Sequence, residues 1–448
     1  MDDNVPSLFS TRDLINLIFP LVCEQLLLML VGMADTFVVS YVSEAAVSGV
    51  SLVNSFNTVF IYLFTALASG GAVIISQYIG HHDDAKAGES SSQLLMISFL
   101  FSTVIAVLSI IFCKPLLRLL FGKVEPDVMD ACVTYLLISA YSYPALAVYN
   151  AGASLYRSIG RTSVTMWISI IANVINIAGN LIGVFVFHAG VAGVAYPSLI
   201  SRTFSAVAIT VCCFNKKHTV RYELKWIFEW NRTLLKKVMG IAVPNGVENG
   251  VHQLVKVALS SIVALFGTYQ IAANGVAQSI WSLASLIGLA MGPAFTTVIG
   301  QCMGSEDIKA ARYYFNKLLK VSLVLSIIWN ALIFALTPPL MCLYDLSSQT
   351  KHLVIMLVLV NNIFNALSFP FAGPLGNGLR AAGDVRYTMI VSIILTVGVR
   401  LALSALFGIV FSMGAMGIAW GMGIDLTIRA VLFIQRLKSG KWETYRLI

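Results

Sequence analysis

The feature that most constrains this 448-residue sequence is its succession of apolar segments, each about 20 residues or longer and so able to cross a ~30 Å hydrocarbon core. They fall near 14–41, 46–79, 94–113, 131–155, 163–187, 190–213, 238–266, 271–300, 318–344, 353–378, 387–411 and 413–435, so twelve spans are expected. Hydrophobic residues make up 58% of the chain and charged residues 11%, against roughly 45–50% and 25% in a soluble domain. Soluble, disordered and disulfide-scaffold classes are thereby excluded. Gly32, Gly70, Gly71, Pro144, Pro197, Pro244, Pro293, Pro370 and Pro374 lie inside the runs, and strand alternation is absent. Kinked helices are therefore expected in place of a β-barrel.

The net charge of +8 does not point to nucleic acid, because the basic residues sit in short loops between the apolar runs. With the N-terminus in the cytoplasm, most of the 29 Lys and Arg fall on that side, and only Lys114, Arg118, Lys123 and Lys351 fall outside. Both termini are thus expected in the cytoplasm. The first residues, MDDNVPSLFSTRD, are acidic and polar, unlike the n-region of a cleaved signal, so the first span is expected to stay in the mature protein. The seven cysteines lack CxxC or Cys/His metal spacing and read as buried free thiols.

The longest polar stretch, residues 215–237, divides the chain almost in half. Its Trp226 and Trp230, spaced i, i+4 among lysines, suit an amphipathic helix lying at the lipid headgroups. An internal repeat is visible at a displacement of 224 positions: Pro20 pairs with Pro244, Glu24 with Glu248, Gln77 with Gln301, Asp83 with Asp307 and Gly190 with Gly414. The loops LYRSIG and LRAAGD match at 223, so that Arg157 and Arg380 correspond. Six spans per repeat is an even number, which gives parallel repeats about an axis along the membrane normal, as in alternating-access transporters.

These residues resemble the multidrug and toxic compound extrusion (MATE) family over essentially the whole chain. The resemblance is carried by Pro20 followed by Asp35 in GMADT, by QYIGHHDDAKAG and its counterpart QCMGSEDIKAAR, by the two Arg-x-x-Gly loops, and by NIAGN (176–180) and GVAGVAYPS (190–198). It implies a cation-coupling site at Asp35, Asn176, Asn180 and Ser198, loaded by H+ or Na+. Two departures stand out. The acidic residue that some members carry in the seventh helix falls at His252, with Glu248 one turn earlier, and the tenth-helix Asp of some members has no counterpart in NALSFPFAGPLGNG.

The residues carry their own argument. An ionised Asp at a helix centre costs roughly 2.5–3.5 kcal/mol on insertion scales, so Asp35 needs a proton, a cation or a structural hydrogen bond. Asn176 and Asn180 share a helical face with Asn173, and amide oxygens suit a hard cation as well as a neighbouring helix. Glu24 lies on the face of Asp35, about 16 Å along the axis, and is a candidate substrate-cavity or proton-relay residue. Glu248, His252 and Lys256 form a second i, i+4 stripe, read either as an ion-pair network or as a substrate or proton-relay surface. Asp425 and Arg429 read as an intrahelical ion pair. Tyr143, Tyr149, Trp281, Phe369 and Phe371 are candidate cavity aromatics, near Pro144 and Pro370 at similar places in the two halves.

The expectation is an all-α polytopic membrane protein of twelve transmembrane helices, in two pseudo-symmetric six-helix bundles around a central cavity. Residues 1–213 form the N-lobe, 214–237 a cytoplasmic basic amphipathic linker and 238–448 the C-lobe. Its function is expected to be secondary active efflux of amphipathic, cationic organic compounds in exchange for H+ or Na+, in a bacterial cytoplasmic membrane. No cofactor is expected. The partners are a small organic substrate and membrane lipid, with no nucleic acid and a monomer as the working unit. The alternative is a flippase for a lipid-linked saccharide, whose pyrophosphate calls for more basic residues than Arg202, Lys256, Arg400 and Arg429 supply. No HExxH, GxSxG or Walker A sequence appears in a suitable context, which argues against an enzyme or an ATP-driven pump.

Overall fold

The computed structural model describes residues 8–122, 124–343 and 346–448; most of the acidic stretch before the first span lies outside them. Among the described residues every regular element is helical. Eleven helices are long and apolar enough to cross a membrane. The pair Pro126–Tyr141 and Tyr143–Ser158, bent by 43°, supplies a twelfth when counted as one span. The protein is an all-α polytopic membrane protein. Contacts divide it into an N-unit, Arg12–Gly246, and a C-unit, Val247–Ile448 with the segment ending at Thr11. That segment joins the C-unit through Phe9, whose backbone N–H and C=O both bond the Tyr314 hydroxyl at 2.8 Å.

The N-unit holds α1 (Thr11–Ser40), α2 (Glu44–Gly80), α3 (Asp84–Ile111), α4 (Cys113–Phe121), α5 (Pro126–Tyr141), α6 (Tyr143–Ser158), α7 (Thr162–Leu181), α8 (Ala192–Cys213), α9 (Leu224–Phe228) and the start of α10 (Arg232–Val263). Helix α3 begins ten residues before its apolar run because the Asp83 carboxylate caps it, accepting from the Lys86 N–H at 3.0 Å. The bend between α5 and α6 follows from Pro144, which has no N–H for the preceding turn; the Ser142 N–H instead closes a tight turn on the Ser139 carbonyl at 2.9 Å.

The segment after α8 departs from the amphipathic helix that its composition suggests. From Arg232 the chain is already the start of α10, and within residues 214–237 Leu224–Phe228 forms one short helix. Its backbone is held by side chains of α3: Gln93 donates to the carbonyls of Trp226 and Glu229, and the Ser92 hydroxyl accepts from the Glu223 N–H at 3.2 Å. These bonds satisfy groups that a continuous helix would have paired internally. Trp226 packs beside Gly88, whereas Trp230 is exposed.

The C-unit continues α10 and adds α11 (Thr268–Ala284), α12 (Leu286–Gly304), α13 (Ile308–Leu343), α14 (Ser348–Leu367), α15 (Phe369–Ala372), α16 (Pro374–Ala381), α17 (Val385–Ile393), α18 (Ala402–Ala405) and α19 (Ala415–Lys438). Pro370 and Pro374 stand at the starts of α15 and α16 and break this span twice. The repeat is written into the backbone as well as the sequence. His82 and Glu306 both have φ 57°, Gly190 and Gly414 have φ 60° and 59°, and π-helical turns fall at Ile182–Val186 and Leu406–Val410. Each pair is displaced by 224 positions. Asp307 caps α13 through the Ala310 N–H at 2.9 Å, as Asp83 caps α3.

Candidate functional site

In the N-unit, α8 lies close against α7 because small residues face each other. A Cβ on Gly179 would meet Pro197 at 2.7 Å, and one on Gly193 would meet the Gly183 carbonyl oxygen at 2.7 Å. That approach brings Ser198 to Asn176, whose Nδ2 donates to the Ser198 hydroxyl at 3.0 Å. Asn180, one turn on, donates to the Asn176 Oδ1 at 3.2 Å and to the Asp35 carboxylate of α1 at 2.5 Å. Asp35, Asn180, Asn176 and Ser198 therefore form one hydrogen-bonded chain across three helices. Asn176 and Asn180 are buried, and the Asn180 Oδ1 has no hydrogen-bond partner. A half-buried carboxylate beside a buried, unsatisfied amide oxygen is a donor set suited to a proton or a hard cation. Asn173 makes no bond to this chain; its Nδ2 is buried and unsatisfied.

Glu24 is not part of that set. It is buried and ion-paired with Arg157 at 2.8 Å, and it accepts from the Tyr149 hydroxyl at 3.0 Å and the Thr165 hydroxyl at 3.3 Å. In the C-unit, Glu248 pairs with Arg380 at 2.5 Å, and the Arg380 Nε donates to Thr388 at 3.3 Å. The trio of acid, Arg and Thr thus recurs in both units. The two arginines read from sequence as loop cations, and the signal for them was present: the Arg-x-x-Gly loops repeat at a displacement of 223, one position from that of the Glu pair.

The stripe of Glu248, His252 and Lys256 does not hold together as one surface, because neighbouring helices take its members separately. Glu248 turns to Arg380, His252 lies 3.4 Å from the Arg429 Nη1 and 3.5 Å from the Thr396 hydroxyl, and Lys256 is exposed. The Asp425–Arg429 pair forms as its spacing implies, at 2.9 Å, and Arg400 joins it with 2.6 Å to the same carboxylate. Arg202 donates to the Ser142 hydroxyl at 2.7 Å.

Among the candidate aromatics, Tyr143 is 1% exposed, donates to Asn57 at 2.6 Å and packs with Phe60 and Phe64. It fills the N-unit interior and does not line an open surface, because its ring completes the packing between α2 and α6. Trp281 and Phe369 are half-buried and meet edge to face at 6.0 Å, beside Met422 and Leu426. The Trp281 Nε1 is buried without a partner. Among the described residues, no group of three or more His, Cys, Asp or Glu is placed to hold a metal ion.

Known proteins match this chain over most of its length. Residues 20–182 and 244–406 each match the MatE family, two copies displaced by the same 224 positions as the repeat. The uncharacterized transporter YisQ of Bacillus subtilis is 28% identical, over 96% of this chain and 95% of its own length. The probable multidrug resistance protein NorM of Thermotoga maritima is 25% identical, over 96% and 93%. A crystal structure of MATE in the straight conformation shares the fold, with a TM-score of 0.89 at 20% identity and 96% coverage of both chains. With the family matched in both halves and the transporter fold shared end to end, this chain belongs to the MatE family of membrane transporters.

Proposed function

We propose that this chain is a secondary active exporter of amphipathic organic compounds bearing a cationic group, driven by H+ or Na+ moving inward through alternating access. The observation that carries the reading is the chain from Asp35 through Asn180 and Asn176 to Ser198, with the Asn180 Oδ1 unsatisfied inside an apolar span. A carboxylate so placed is stabilised by whichever ion it takes up. Occupation of this site draws α1 toward α7, and coupling follows if the two conformations differ in ion and substrate affinity, since equal binding shifts nothing. The relatives named as probable multidrug resistance proteins support the substrate class. The excess of Lys and Arg in one set of loops supports cytoplasmic termini in a bacterial inner membrane. The saccharide flippase is not favoured.

The test uses proteoliposomes with wild type or Asp35→Asn, a fluorescent cationic dye, and sodium and proton gradients imposed separately. Gradient-driven dye movement in wild type and its loss in the folded mutant are expected, and the effective gradient identifies the ion. Movement that persists in Asp35→Asn would remove Asp35 from the coupling role.

A further inference from the structure

The internal repeat allows the polar site of the N-unit to be traced into the C-unit residue by residue, and the charge reverses. At a displacement of 224, Asp35 corresponds to Leu259, Asn176 to Arg400, Asn180 to Ser404 and Ser198 to Met422. The acid is gone and a guanidinium stands where an amide stood. Around it the C-unit has changed further: Leu28, Ala172, Ser201 and Ser205 correspond to His252, Thr396, Asp425 and Arg429. These residues meet. Arg400 and Arg429 both bond Asp425, at 2.6 and 2.9 Å, and Arg429 donates to Thr396 at 2.8 Å and lies against His252.

One carboxylate thus serves two guanidiniums within membrane-spanning helices. The nearest other acid on α10, Glu248, is committed to Arg380. Arg429 is 5% exposed, and its Nε is buried without any hydrogen-bond partner. An excess positive charge with an unused donor is costly in an apolar setting unless an anion completes it. The segment that carries Thr396 and Arg400, Ile394–Leu401, is a π-helical stretch, a geometry that recurs at functional sites.

We propose that Arg400 and Arg429, with Thr396 and His252, bind an oxyanion group of the transported compound, a carboxylate or a phosphate ester. Resting on the export reading, this makes the preferred cargo zwitterionic: its cationic part is set by the exporter, and its oxyanion is held by the C-unit. Arginine suits this role because its planar fork matches the two oxygens of a carboxylate or phosphate.

The experiment measures binding by fluorescence anisotropy to the full chain in phosphatidylcholine nanodiscs, with a rhodamine bearing a free carboxylate and with its ethyl ester. Wild type is expected to bind the acid at least fivefold more tightly than the ester. Arg400→Gln, which leaves the Asp425–Arg429 pair balanced, brings that ratio to about one, and Arg400→Lys retains most of it; thermal melts confirm that both variants fold. Equal affinity for acid and ester in wild type, or a preference that survives Arg400→Gln, overturns the oxyanion site and leaves the export reading standing. Dihexanoyl phosphatidylglycerol added as competitor distinguishes the source of the anion. Displacement of the acid dye by this lipid, lost in Arg400→Gln, retains the site and assigns its oxyanion to a lipid headgroup, against drug export. Binding of neither dye nor lipid overturns both readings.

Discussion

Glu24 and Glu248 show how a membrane interior handles a charge that it cannot hydrate. Each faces an arginine from another helix of its own unit, and each pair is bound to a threonine hydroxyl. Removing one partner of a buried pair leaves the other uncompensated, at about 3–5 kcal/mol. Glu24→Gln is therefore expected to lower the melting temperature in detergent sharply, and Glu24→Gln with Arg157→Gln to recover part of the loss. Equal melts for the single and double variants would show that the pair has no coupling. Tyr149→Phe removes one neutral donor from the same carboxylate and is expected to cost about 1 kcal/mol. The candidate site was legible at this scale where a residue type is anomalous in an apolar run, as with Asp35. It was not legible where the partner, such as Arg157, resembles an ordinary loop cation.

Helix contacts in this protein depend on small residues at defined crossings. Gly193 of α8 touches the π-helical turn after α7, and Gly240 of α10 has open space where a Cβ would stand. Gly193→Ala is expected to force the two elements apart at a cost of about 1–3 kcal/mol. Gly240→Ala should be neutral, or stabilising by up to about 1 kcal/mol from helix propensity alone. Thermal melts of the two variants side by side check the contrast, and comparable destabilisation by both would show that propensity, not the close approach, governs. Element positions were readable from the apolar runs, and the bends from Pro144, Pro370 and Pro374. The fate of the linker was not: its composition favours an amphipathic helix, but Gln93 and Ser92 compete for its backbone from a helix more than a hundred residues away.

For the molecule as a whole, the distribution of Lys and Arg predicts cytoplasmic termini and an outward-facing turn after α13. Cys342 departs from the buried thiol that its sequence suggests and is exposed at the end of that helix. A membrane-impermeant maleimide is therefore expected to label Cys342 in intact cells and to fail in Cys342→Ser. A cysteine introduced by Ser439→Cys in that background should react only after permeabilisation. Labelling of the introduced cysteine in intact cells would invert the topology.

By itself, the sequence determined the class, the span count and the twofold repeat, because a bilayer accepts few structures and each span must be long, apolar and helical. It also marked the places where that rule is broken, at Glu24, Asp35, Glu248, Asp425 and Arg429. Only the tertiary structure decided what compensates each of them. Apart from the Asp425–Arg429 pair, which lies within α19 and follows from its spacing, those partners come from other helices, so they depend on which faces meet and how closely small residues let them approach. Asp35 meets one neutral amide, Glu24 and Glu248 each meet one arginine, and Asp425 meets two. That difference separates an amide-bonded carboxylate, two acid–arginine pairs and a positively charged cluster built on a common repeat.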